Sequence, residues 1–167
     1  MPTRQTVAHL DRSGAKDPVV AHGAYVLADA EGGSPDVILI GTGSEVGLCV
    51  LAREKLKNFG VKARVVSMPS WNLFEAQEDS YRESVLPRGI KKRVTVEAAS
   101  PMGWHRWAGD EGTVIGLKRF GASAPGQEVL DHLGFTADHF ASAALRLLGK
   151  NVEADQEYAS KATSGRG

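Results

Sequence analysis

The sequence predicts a three-layer α/β/α sandwich: about five strands in a mostly parallel sheet, with one antiparallel edge strand and helices on both faces. Three observations carry that prediction. Asp36-Val-Ile-Leu-Ile-Gly-Thr-Gly-Ser-Glu-Val-Gly47 reads as strand, tight turn and helix start. Its apolar run, Val37 to Ile40, does not alternate, which fits a strand buried on both faces as in a parallel sheet. The segments that follow repeat the strand–helix–strand order with short loops, the mark of a right-handed crossover unit.

The elements follow in order. Residues 1–22 are polar and punctuated by Gly, Pro and Asp, so they read as a linker or the end of something that precedes it. Ala24–Asp29 is a short strand. It lies too close to the Asp36 strand for a crossover helix, so the two are expected to pair antiparallel. The first helix runs from about Ser44 to Asn58, with Val46, Cys49, Val50 and Leu56 at helical spacing and Gly60 at the stop. Lys62–Met68 is the next strand, closed by Pro69. Ser70–Gln77 reads as a loop carrying Trp71 and Phe74. Glu78–Val85 reads as a short helix ending near Pro87. Lys92–Glu97 and Thr113–Leu117 complete the parallel strands, with a short turn or helix at Trp104–Ala108 between them. A helix over 126–133 follows Pro125, and Thr136 caps a last helix over 137–149. Residues 150–167 lack periodicity and read as a disordered tail.

Composition bounds the function. At 42% hydrophobic the chain can build a core, and 20 basic against 20 acidic residues leave no electrostatic pull toward nucleic acid or an anionic membrane. There is no apolar run of about 18 residues to span a bilayer. The single cysteine, Cys49, falls on the apolar face of the first helix. It reads as a buried free thiol of a reducing cytoplasm rather than a nucleophile.

The turn Gly41-Thr42-Gly43-Ser44 is the obvious anion or ligand loop, since such turns carry function in parallel sheets. Yet the third glycine is one residue late for the dinucleotide fingerprint, the phosphate-loop lysine is missing, and Glu45 would repel a phosphate. Thr42 and Glu45 instead have capping-box spacing, so the expectation is a helix cap whose amides are already used. Glu97, His105 and Arg106 could form an acid–base group, but no nucleophile or second carboxylate accompanies them, so the expectation is a solvated loop whose Trp104 and Trp107 anchor on a neighbouring domain or subunit. His9, His22, His132 and His139 have no metal-ligand spacing, and no metal site is expected. From the residues alone, a binding or assembly domain outranks an enzyme.

Six stretches, in order and correctly spaced across residues 23–149, resemble the C-terminal domain of transketolase. They are Gly23–Asp29, Ile40–Val46, Val61–Ser70, Tyr81–Pro87, Val94–Ala98 and the Phe120-Gly-Ala-Ser-Ala-Pro125 box, with Leu133-Gly-Phe-Thr136 closing the set. Thr3-Arg4-Gln5 is similar to the end of the family's pyrimidine-binding domain, where the arginine holds the substrate phosphate. Arg4 matches it, and no other residue of the chain inherits a catalytic-site role. The resemblance divides the chain into the end of a preceding domain plus linker (1–22), a C-terminal α/β domain (23–149) and a tail (150–167). It implies that the whole enzyme moves a two-carbon ketol unit between sugar phosphates in the pentose phosphate pathway or Calvin cycle. The implied cofactors are thiamine diphosphate and Mg2+ or Ca2+, held by the N-terminal and pyrimidine-binding domains of the same enzyme. On that reading this piece binds no cofactor, supplies dimer contacts, and is inactive alone. A stand-alone regulatory or ligand-binding module is the alternative, as is the C-terminal domain of a related enzyme such as a dihydroxyacetone synthase or a 2-oxo acid dehydrogenase subunit. Ala99–Trp104, His105-Arg106-Trp107 and the extension beyond Lys150 depart from the family pattern.

Overall fold

The computed structural model describes residues 20–117 and 134–150. Arg4, the helix expected over 126–133 and residues 151–167 of the tail lie outside the described residues. Five strands form one sheet in the order β1-β3-β2-β4-β5. They are β1 (Tyr25–Ala28), β2 (Val37–Gly41), β3 (Ala63–Ser67), β4 (Arg93–Glu97) and β5 (Thr113–Gly116). The helices are α1 (Glu45–Lys57), α2 (Trp71–Glu75), α3 (Asp79–Val85), α4 (His105–Ala108) and α5 (Ala137–Leu147).

The central strand β2 pairs in parallel with β3 on one side and β4 on the other, and all five of its residues are buried. Successive side chains of a strand point to opposite faces, so its apolar run serves two cores at once. Val37 and Leu39 pack with Val46, Cys49, Ala52 and Leu56 of α1 and with Phe140 and Ala144 of α5. Ile38 and Ile40 pack with Phe74, Val85, Leu86, Trp104 and Trp107 on the other face. The Val, Leu, Ile and Phe side chains among them each contribute about 1.5–3 kcal/mol by leaving water. The predicted three-layer sandwich is thus the observed one.

Two expectations are corrected. The first strand is antiparallel, but its partner is β3, not β2: Tyr25 lies opposite Ser67 and Val26 opposite Val66. The reason is burial, because β2 is apolar on both faces and is sheltered best between two parallel partners, which leaves the edge for β1. The intervening turn passes the start of β3, where Asp36 N–H donates to Lys62 O (2.8 Å) and Lys62 N–H donates to Asp36 Oδ2 (2.8 Å). Segment 70–77 is also not a loop throughout: α2 occupies Trp71–Glu75, and the Ser70 side chain accepts from the Leu73 amide (3.4 Å). That single capped turn drives Phe74 into the core, where it is 1% exposed.

Two arginines tie α3 to the sheet. Arg64 of β3 donates to both carboxylate oxygens of Asp29 (2.8 and 3.2 Å) and to the carbonyls of Ser84 and Val85. Arg93 of β4 donates to the carbonyls of Leu86, Pro87, Ile90 and Trp107, and burial lowers its pKa. Carbonyls left over at the end of α3 are satisfied in this way. The Thr136 hydroxyl accepts from the His139 amide (3.2 Å) and caps α5 as expected.

Candidate functional site

The strand order fixes where a site can open. After β2 the chain turns into α1 on one face of the sheet, whereas after β4 it turns into α4 on the other. The two loops part at the carboxyl ends of neighbouring strands, and such a switch point leaves a crevice. A cavity of 330 Å³ lies there, lined by Thr42, Met68, Pro69, Ser70, Trp71, Asn72, Glu97 and Trp104. Thr42 comes from the turn after β2, Met68 to Asn72 from the segment after β3, Glu97 from the end of β4 and Trp104 from the start of α4. The two indoles meet edge to face at 5.1 Å between ring centroids, which braces the apolar wall.

The turn is not the expected capping box. The helix begins at Glu45, so Glu45 occupies its first position rather than its third. The N-cap is Ser44, which makes no side-chain bond to the helix amides. The Glu45 amide donates to the carbonyl of Thr42 (3.2 Å), not to its hydroxyl. Gly43, at φ +54°, bends the chain so that the Glu45 carboxylate tucks beneath it, where Ser44 Oγ donates to Glu45 Oε1 (3.0 Å).

Glu45 is 5% exposed, and burial raises its pKa. Glu97 is raised as well, first by burial and then by the Glu45 charge. Among the described residues, no lysine or arginine is paired with either carboxylate. Glu97, His105 and Arg106 form no acid–base group: Arg106 pairs with Glu75 and lies over the Trp107 ring at 5.2 Å, and His105 is exposed. Cys49 is buried, and burial pushes its thiol pKa strongly upward, so it is no nucleophile. Sequence reasoning missed Ser70, Trp71 and Asn72 as site residues because their segment read as a loop. It also read Glu45 as a cap. The available signal was an acidic residue directly after a glycine turn, at a helix start that has no basic neighbour.

This donor set does not fit a diphosphate and its metal. Glu97 in the lining, with the Glu45 carboxylate behind the turn, repels phosphate oxygens. Among the described residues, no group of three or more His, Cys, Asp or Glu could hold a metal ion. The crevice suits a small group that is neutral or positively charged.

Comparison with known proteins places this arrangement. Residues 23–136 match the family model described as the transketolase-like TK C-terminal domain. The chain belongs to the transketolase C-terminal domain family. Over 147 residues it is 52% identical to the transketolase of Nostoc sp., covering 88% of this chain and 22% of that protein. A mutant transketolase from Pichia stipitis superposes with a TM-score of 0.74 at 34% identity, over 89% of this chain and 21% of that one. A further structure from the same organism, a transketolase in complex with sedoheptulose-7-phosphate, gives a TM-score of 0.68 at 35% identity, over 80% and 19% of the two chains. The chain therefore spans about a fifth of the length of the transketolases it matches. The crevice and its carboxylates thus belong to a transketolase C-terminal domain.

Proposed function

We propose that this chain works as the C-terminal domain of a transketolase, giving interdomain and dimer contacts to an enzyme that transfers a two-carbon ketol unit between sugar phosphates. The observation that carries this reading is the 52% identity to a transketolase over 147 residues. The chemistry is assigned to the N-terminal and pyrimidine-binding domains. They would hold thiamine diphosphate and Mg2+ or Ca2+, for which the carboxylate-lined crevice is a poor host. Residues 1–22 serve as the end of the preceding domain and linker, 23–149 as the domain itself and 150–167 as its tail. A cytoplasmic setting suits the buried free thiol of Cys49.

Arg4 is assigned to the substrate phosphate. A guanidinium grips phosphate through paired, charge-assisted hydrogen bonds. Its replacement in an assembled enzyme raises KM for a phosphorylated ketose roughly 10- to 100-fold. KM for the unphosphorylated sugar of the same length stays unchanged.

The direct test is to assay this chain alone for ketol transfer from xylulose 5-phosphate to ribose 5-phosphate, with thiamine diphosphate and Mg2+ supplied. No turnover is expected. Turnover that persists through repurification would overturn the assignment of the chemistry to other domains.

A further inference from the structure

We propose that the crevice between β2 and β4 binds a small organic cation, an ammonium or guanidinium group on a short apolar stem. The proposal goes beyond the domain assignment and does not depend on it. The cavity, at 330 Å³, is near the lower end of the size range of ligand pockets, so the ligand is small. Its walls divide by chemistry. Met68, Pro69, Trp71 and Trp104 offer an apolar surface for a stem, and Thr42 and Asn72 offer neutral hydrogen-bonding groups. Glu97 is the charged group of the lining. The Glu45 carboxylate adds a second negative charge behind the turn.

The decisive feature is the missing counter-charge. Several other carboxylates of this domain meet cations: Asp29 meets Arg64, Glu31 meets Lys57 and Glu111 meets Lys92. Glu45 has only the Ser44 hydroxyl and its own amide. The partly buried Glu97 carboxylate has no hydrogen bond or ion pair among the described residues. A carboxylate withdrawn from water without a cation is costly, and a ligand that brings the cation relieves that cost. A neutral polyol would leave the charge uncompensated, and an anion would add to it. An organic cation also matches the indole walls, which favour positive charge near their rings.

The test titrates the 15N-labelled chain with agmatine, with ribose 5-phosphate and with magnesium chloride in parallel. Agmatine is expected to give saturable shifts at the amides of Thr42, Gly43, Asn72 and Glu97, at or below roughly 10 mM. Glu97→Gln keeps the shape and removes the charge, and it should weaken agmatine roughly tenfold. Glu111→Gln, an exposed carboxylate far from the crevice, should leave the affinity unchanged. No response to agmatine would overturn the proposal. Crevice shifts from ribose 5-phosphate in place of agmatine would reverse the sign of the ligand. An equal response to magnesium chloride, or an agmatine affinity indifferent to Glu97→Gln, would reduce the effect to general charge screening and overturn it too.

Discussion

Glu45 sits at the first position of α1 with its carboxylate out of water and beside a second acid. Its carboxyl pKa is raised in the fold above an ordinary 4.5, so the folded state keeps a proton that the unfolded chain releases. The sign follows: stability from this group is full below the unfolded value and is lost as pH rises through the folded one. Glu45→Gln is therefore expected to raise the unfolding midpoint at about pH 8, and the gain should close by about pH 4. A gain that persists unchanged at low pH would contradict this. Gly23 makes a second residue-scale prediction. It holds φ +80°, and a Cβ there would collide with the Phe74 amide and the Ser70 carbonyl. Gly23→Ala should cost about 3 kcal/mol or more, read from the urea midpoint. The sequence showed both residues but not their surroundings. A Thr-x-x-Glu spacing is a cap only if the helix starts at the threonine, and the turn glycines moved that start by two residues.

At the scale of elements, long-range contacts decide what local pattern leaves open. The continuous apolar run of β2 announced a strand buried on both faces, because its successive side chains fill two cores. The helical spacing of α1 and α5 was legible for the same reason. The α2 helix was not, since five residues are too few to show a 3.6 period. Only Ser70 marked its start. The partner of β1 was not legible either, because hairpin reasoning assumes that neighbours in sequence pair in space. Arg64 joins these elements, binding Asp29 after β1 and the end of α3. Arg64→Met keeps the bulk and removes five donors. It should cost about 3 kcal/mol, because it removes the guanidinium that a half-buried carboxylate and two carbonyls share. Arg64→Lys should recover only part of that, since one ammonium cannot span the set. Chemical denaturation of the two variants checks this, and equal stabilities would contradict it.

For the whole molecule, the fold class and the family were legible because several short motifs kept their order and spacing across most of the chain. The crevice was not, because its lining comes from four separate segments that only the strand order brings together. The chain spans about a fifth of its relatives, so its role is judged best inside a complete enzyme. The most direct measurement is a domain exchange: the C-terminal part of the Nostoc transketolase is replaced by the matching residues of this chain, and ketol transfer and solution mass are measured. The account predicts a dimer with kcat within roughly tenfold of the parent, about 1.4 kcal/mol in barrier. A well-folded dimeric chimera with no transfer activity would contradict it.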